Sequence, residues 1–79
     1  MELIGWLIFA DGCYWVCNDA EGWACPFGVG DGVEVLVGGQ WQAVTMHSGG
    51  YRGRYLRFAD GRWSRPALCM QVRVARCGR

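Results

Sequence analysis

A short pattern that occurs twice constrains the fold of this chain more than any other feature. The segment WLIFADG at residues 6–12 recurs as YLRFADG at residues 55–61, and each copy is followed shortly by a tryptophan. An apolar run that ends in Asp-Gly is typical of a strand entering a β-hairpin, because both central residues of a type I′ turn have positive φ. Residues 33–47 have the same form around Gly38 and Gly39. The pattern therefore predicts an all-β protein built from hairpins.

The spacing of these hairpins predicts a small, strongly curved sheet. The alternating segments indicate five to six short strands, at roughly 3–10, 13–18, 33–38, 41–47, 53–59 and 69–75. Glycines interrupt every stretch that is long enough to hold a helix. Short antiparallel strands usually close into a barrel or a highly curved sheet, since an open sheet leaves its edges unpaired. We expect one such domain over residues 1–79.

Alternation also assigns the two faces of the predicted sheet. The residues expected to point inward are Leu7, Phe9, Val33, Val35, Val37, Val44, Met46, Leu56, Phe58, Met70, Val72 and Val74. The opposite face would carry Trp6, Trp41, His47, Tyr55, Arg57, Gln71 and Arg73. Mixtures of aromatic residues and arginine are enriched at binding hot spots. Residues 19–32 predict a long irregular loop with Trp23 and Phe27 as its anchors, and loops of that length are often functional.

Charge is divided unequally along the chain. Residues 1–50 contain six acids and no lysine or arginine, whereas residues 51–79 contain eight arginines and one acid, Asp60. Arginine presents a planar, bidentate fork that suits carboxylates, phosphates and aromatic faces, which favours a specific contact surface. Two alternatives remain open. The arginine content can reflect codon usage alone, or the opposite charges can pair with each other once the chain folds.

Catalytic and metal sites have little support in the sequence. The chain has five cysteines and one histidine, His47, but no Cys-x-x-Cys pair. Cys13 and Cys17 would lie about 13 Å apart on a strand, too far to share one zinc ion. With Cys25, Cys69 and Cys77 they are expected to be mostly free, buried thiols. The glycines of residues 28–32 lack the lysine of a phosphate loop. We expect no enzyme activity, no cofactor and no bound metal.

No segment has the length or composition of a membrane span or a signal peptide. The apolar run at residues 3–10 is short, follows Glu2 and ends in a turn. We therefore expect the protein to stay in the cytoplasm of a bacterial host cell.

Part of the chain resembles the Tudor and agenet group of SH3-like barrels. The resemblance is carried by GDGVEVL at residues 30–36, GGQW at residues 38–41, and YLRFADG at residues 55–61. It covers about half of the chain and implies a small SH3-like barrel. The aromatic cage that binds methylated ligands in that family would correspond to Trp41, Tyr55 and Phe58. Phe58 is assigned to the inward face and no acidic cage residue other than Asp60 is evident, so the resemblance implies the fold more than this activity.

The chain also resembles the short all-β proteins of phages and other mobile elements, among them anti-CRISPR inhibitors. That resemblance implies a non-enzymatic inhibitor that docks onto a bacterial defence complex by protein–protein contact. The residues predicted to bind the partner are Tyr51, Arg52, Arg54, Tyr55, Arg57, Arg62, Trp63 and Arg65, with Trp23 and Phe27 as a secondary contact. The same interleaving of arginine and aromatic residues is typical of nucleic-acid-binding modules, which are the alternative. A monomer and a self-associating homodimer both remain open.

Overall fold

The structure, a computed structural model, describes residues 2–75 of the chain apart from the side chain of Arg52. Eight β-strands occupy most of this range. They are β1 (Leu3–Ala10), β2 (Cys13–Asn18), β3 (Trp23–Phe27), β4 (Gly32–Val37), β5 (Gln40–Ser48), β6 (Arg54–Phe58), β7 (Trp63–Ser64) and β8 (Gln71–Val74). A 3₁₀ turn at Gly50–Arg52 separates β5 from β6, and residues 2–75 contain no α-helix. The predicted all-β class is confirmed.

All eight strands belong to one antiparallel sheet, in the order β3-β2-β1-β8-β4-β5-β6-β7. The last strand, β8, lies between β1 and β4 and so joins the first hairpin to the central one. The sheet is open as described over residues 2–75, with β3 and β7 at its ends. The strand count corrects the predicted five to six strands, and the pairing of the described residues does not confirm a closed barrel.

The segment from residue 19 to residue 32 was predicted to be one long loop, and this prediction is wrong. It contains β3, which pairs with β2 from Trp23 opposite Asn18 to Phe27 opposite Tyr14. The strand is hard to see in the sequence because it includes Pro26, which cannot donate a hydrogen bond to a neighbouring strand. Proline is tolerated in strands at a sheet end, which is the place of β3 in the described order.

Two of the three predicted hairpin turns have the expected conformation. Asp11 and Gly12 both have positive φ, at 54° and 75°, as a type I′ turn requires, and the Gly38-Gly39 turn shows the same feature. The turn at Asp60 differs, because positive φ is confined there to Gly61. The backbone N–H of Phe58 donates to the carbonyl of Arg62 at 2.9 Å, so three residues lie in this loop. Loops of that length commonly place a glycine at the left-handed position.

One face of the sheet forms the core. A single cluster of buried side chains draws on every strand except β7, and its members are Leu7, Val16, Phe27, Val35, Val44, Met46, Leu56, Val72 and Val74. Val33, Phe58 and Met70 pack against this cluster and are partly buried, as the alternation predicted. Phe9 and Val37 were also predicted to point inward, but they are 51% and 38% exposed. Both lie at or near the end of a strand, beyond the edge of the core.

β1 and β2 approach each other closely around Gly5. A Cβ atom at this position would lie 2.5 Å from the carbonyl oxygen of Cys17 and 2.9 Å from the ring of Trp23, so no side chain fits there. Asn18, the one buried polar side chain among the described residues, holds the same region together. Its amide nitrogen donates to the carbonyl of Ile4 at 2.9 Å, and its amide oxygen accepts from the backbone N–H of Glu21 at 3.0 Å.

Candidate partner-binding surface

Part of the predicted contact set meets on the outward face of β5, β6 and β7. Tyr55 lies opposite His47 of β5, and Arg57 lies opposite Trp63 of β7. Leu56, between Tyr55 and Arg57, is fully buried, so these two side chains lie on the face away from the core. We call the four residues His47, Tyr55, Arg57 and Trp63 the aromatic–arginine surface.

The three rings of this surface contact one another. The His47 and Tyr55 rings stack with centroids 5.7 Å apart and planes inclined by 21°. The Tyr55 and Trp63 rings meet edge to face with centroids 5.8 Å apart. Trp63 remains 43% exposed. Rings that pack against one another lose little further side-chain freedom on binding, and an exposed indole offers a large contact area to a partner.

Several exposed arginines of β6 and of the segment after β7 form no ion pair within the described part of the chain. Arg54, Arg57 and Arg65 are exposed, and none of them forms an ion pair with the acids described in residues 2–75. The ion pairs found there involve Arg62 and Arg73 instead. Internal pairing, one of the open explanations for the divided charge, therefore does not neutralise these three arginines within the described part of the chain.

Arg62, which was predicted to contact the partner, makes several contacts with other residues of the same chain. Its Nε lies 2.6 Å from Oδ2 of Asp60, its Nη2 donates to Oε1 of Gln42 at 3.2 Å, and its guanidinium lies 5.0 Å from the centre of the Phe58 ring. The backbone N–H of Arg62 also donates to Asp60 at 2.9 Å. This bond, reinforced by the Arg62 guanidinium, lowers the pKa of Asp60 from its ordinary value of 3.8. Arg62 thus stabilises the loop between β6 and β7.

Tyr51 extends the surface on the 3₁₀ turn that precedes β6. Its side chain is 98% exposed. Together with Tyr55 and the backbone of Gly49 and Gly50 it lines a shallow cavity of about 260 Å³. The side chain of Arg52, another predicted contact, lies outside the described part of the structure.

The predicted secondary contact, Trp23 and Phe27, does not form an exposed site. Phe27 is 3% exposed and belongs to the core cluster, so its side chain is not accessible to a partner. Trp23 is half-buried against that cluster, and its indole N–H donates to Oε1 of Glu21 at 3.0 Å. Both residues belong to β3, whose inward face they occupy. The prediction of a long loop at residues 19–32 is wrong for the same reason, because this segment contains the strand Trp23–Phe27.

The three residues that correspond to the aromatic cage of the Tudor group have different neighbours in this structure. Trp41 lies against the guanidinium of Arg73, 4.6 Å from its ring centre. Tyr55 stacks on His47, and Phe58 lies against Arg62. Trp41 and Tyr55 are near opposite ends of the β5–β6 hairpin, since Tyr55 pairs with residue 47 of β5. The described contacts thus divide the three rings among separate clusters.

The outward face of β1 and its neighbours is an apolar surface that the sequence analysis largely missed. Its residues are Ile4, Trp6, Ile8, Trp15, Cys17 and Pro26, with Ile4 38% and Trp6 43% exposed. The alternation in the sequence predicts only Trp6 on this face. The available signal was that residues 3–9 are apolar at both alternating sets of positions apart from one glycine, which indicates a strand with two apolar faces.

The cysteines divide into free and bonded ones. Cys13, Cys17 and Cys69 are free thiols, and Cys13 and Cys69 are exposed. Cys25 is 5% exposed and disulfide-bonded, which corrects the expectation of a free thiol at this position. Cys77 lies outside the described residues. Within residues 2–75, no group of three or more His, Cys, Asp or Glu side chains is placed to hold a metal ion.

Comparison with family models, with curated proteins and with solved structures found no match to this chain.

Among residues 2–75 there is no helix of the length and hydropathy needed to cross a membrane.

Proposed function

We propose that this chain is a non-enzymatic binding protein that docks onto a folded protein through the aromatic–arginine surface. The observation that supports this most directly is that Arg57 and Arg65 are exposed beside a cluster of packed rings and form no ion pair with the acids of the described residues. Arginine and aromatic side chains in such groups are the usual anchors of protein interfaces. An exposed cation that lacks an internal partner remains available for an external one.

The partner that we propose is a subunit of a bacterial defence complex, with this protein acting as an inhibitor of the anti-CRISPR type in the cytoplasm. The size of the chain, its all-β class and its resemblance to short mobile-element proteins support that partner class. We further propose an SH3-like curvature of the sheet. It is supported by the core cluster, in which Phe27 of β3 and Leu56 of β6 take part although their strands lie near opposite ends of the sheet order.

Nucleic-acid binding is the second candidate function, and the exposed Tyr51 and Trp63 rings beside arginines favour it. Stacking of bases on such rings together with arginine–phosphate contacts is how many single-strand binders work. The net charge of the whole chain is only +1, and the acids Asp11, Asp19 and Glu21 are exposed. A long polyanion would meet these acids as well as the arginines, which makes a protein partner the better candidate.

The test is affinity capture from a lysate of CRISPR-bearing bacteria, with and without nuclease, followed by mass spectrometry. The double variant Arg57→Gln, Arg65→Gln is compared with the control Ala20→Glu, Gln40→Glu, which changes the net charge equally at exposed positions on other strands and turns. We expect a stoichiometric protein that survives nuclease, is lost with the arginine variant and is retained by the control. Losing a central anchor should weaken binding by about 2 kcal/mol or more.

Three results would contradict the proposal. Recovery of nucleic acid alone, with proteins lost after nuclease treatment, would support the nucleic-acid-binding alternative. Equal capture by the arginine variant and the control would show that the contact lies elsewhere, with the apolar face of β1 as the next surface to test. Capture of the chain by itself, with a mass in solution that rises with concentration, would indicate a self-associating module.

A further inference from the structure

The arrangement of the aromatic–arginine surface sets the spacing that a ligand must match. Arg57 and Trp63 are direct partners across β6 and β7, and Arg65 comes two residues after Trp63, just beyond the end of β7. Residues opposite each other on antiparallel strands have Cβ atoms about 5 Å apart, and alternate residues along a strand are separated by about 6.5 to 7 Å. In this register Arg57 and Arg65 are diagonal neighbours, about 7 to 8 Å apart, and Trp63 lies next to both.

We infer that this surface binds an acidic, extended segment of its partner, with carboxylates at alternate positions that pair with Arg57 and Arg65. This inference rests on the proposed function and names the chemistry of the partner. Alternate side chains of an extended segment point to the same face at about 6.5 to 7 Å, which is close to the diagonal spacing of about 7 to 8 Å between Arg57 and Arg65. The partner's apolar groups next to the carboxylates would lie against Trp63.

Charge complementarity is the reason for a carboxylate ligand. Arg57 and Arg65 form a small positive area and make no ion pair with the acids of the described residues, whereas Arg62 and Arg73 are already paired with acids. Guanidinium groups bind carboxylates through two parallel hydrogen bonds, and such pairs gain strength where an adjacent ring excludes water. A nucleic acid would satisfy the same guanidinium groups, but its affinity rises with the number of phosphates that are neutralised, and this area offers few such contacts.

The inference can be tested with three fluorescent probes and the full chain, by fluorescence anisotropy. The probes are a peptide with alternating Glu and Val, the same peptide with Gln in place of Glu, and an oligothymidylate. We expect the Glu peptide to bind at least about tenfold more tightly than the Gln peptide, because two charge-assisted pairs are lost with Gln. Arg57→Gln should remove that preference, whereas the control Ala20→Glu, Gln40→Glu should keep it.

The outcomes separate this inference from the proposed function. Equal binding of the Glu and Gln peptides overturns the inference, even if capture of a protein partner still depends on Arg57. Tighter binding of oligothymidylate than of the Glu peptide also overturns it and favours the nucleic-acid alternative. A clear Glu preference that Arg57→Gln removes, in a protein that captures no partner from lysate, supports the carboxylate chemistry and overturns the proposed function instead.

Discussion

Arg73 of β8 lies directly opposite Glu34 of β4, and its Nε donates to Oε1 of Glu34 at 2.8 Å. This pair joins the arginine-rich end of the chain to its acidic first half. Glu2 lies 3.7 Å from the same Nε, and the guanidinium packs over the ring of Trp41. The hydrogen bond to Glu34 raises the pKa of Arg73 further above its ordinary value. Arg73 therefore links β8 to β4, whereas Arg57 forms no ion pair among the described residues.

The contrast between these two arginines leads to the first prediction. Arg73→Gln should lower the urea midpoint of unfolding, because it removes two ion pairs and a ring contact, while Arg57→Gln should leave the midpoint nearly unchanged. Urea unfolding followed by tryptophan fluorescence measures both. The loss with Arg73→Gln should also be smaller in a Glu34→Gln background, since the main pair is then already absent. Equal midpoints for the two arginine variants would contradict this account.

Two residues of β1 on opposite faces test the placement of the core. Leu7 is fully buried, whereas Ile4 on the outward face is 38% exposed. Leu7→Ala should reduce the free energy of unfolding by about 2–5 kcal/mol, because it leaves a cavity in the core. Ile4→Ala should cost less than half as much. Denaturant unfolding of the two variants provides the comparison, and a reversed order would show that the faces of β1 are assigned wrongly.

Gly5 should not tolerate a methyl group. Gly5→Ala would place its Cβ against the backbone of Cys17, and relieving such overlap usually costs about 1–3 kcal/mol. Gly49→Ala is the matched control, because Gly49 has an extended φ of 179° and its Cβ would meet no atom within 4 Å. The control should be neutral or stabilising by up to about 1 kcal/mol. Thermal melts distinguish the two, and a stable Gly5→Ala protein would argue against the close approach of β1 and β2.

The lowered pKa of Asp60 predicts that the stability of the fold depends on pH in the acidic range. Since the folded pKa lies below 3.8, ionised Asp60 stabilises the fold above about pH 4, and this contribution is lost as the pH falls through the folded value. Asp60→Asn should therefore flatten the decline of the urea midpoint below that pH. A carboxyl NMR titration should show only partial recovery of the pKa in Arg62→Gln, because the backbone N–H of residue 62 is the largest cause and remains. Full recovery of the ordinary Asp60 pKa in this variant would show that the Arg62 side chain, and not the backbone N–H, causes the shift.

The disulfide at Cys25 predicts a difference in thiol content before and after reduction. Titration of the denatured, unreduced protein should detect fewer than the five thiols present in the sequence. Reduction should restore all five. In Cys25→Ser the difference between the two titrations should disappear. If five thiols react without prior reduction, Cys25 is free, as the sequence alone suggested.

Much of the fold could be predicted from the sequence, and the failures have physical causes. β1 and β2 were predicted with their observed bounds, because Asp11-Gly12 determines both turn type and register. β3 was missed because Pro26 and flanking glycines resemble a loop, although three alternating apolar residues mark the strand. β7 is only two residues long, too short for any periodicity. The burial of Phe9 and Val37 was predicted wrongly, because alternation indicates which face of the sheet a residue is on but not where the core ends.

The candidate surface was predictable in part. The sequence placed Tyr55 and Arg57 together on one outward face, since residues two apart on a strand share a face. It did not show that Trp63 pairs with Arg57, that Arg62 is held by Asp60, or that Phe27 is buried, because these facts depend on pairing between distant strands. The apolar face of β1 to β3 likewise became visible only when β3 was placed beside β2.

The sequence by itself determined the all-β class, the main hairpins and the division of charge, because turn chemistry and alternation act over a few neighbouring residues. Only the tertiary structure decided which of the described arginines pair with acids. The insertion of β8 between β1 and β4 gives Arg73 its partners, and the loop after β6 gives Arg62 its own. An ion pair depends on which strands become neighbours in space, and that is settled by burial of the whole core and not by any local pattern.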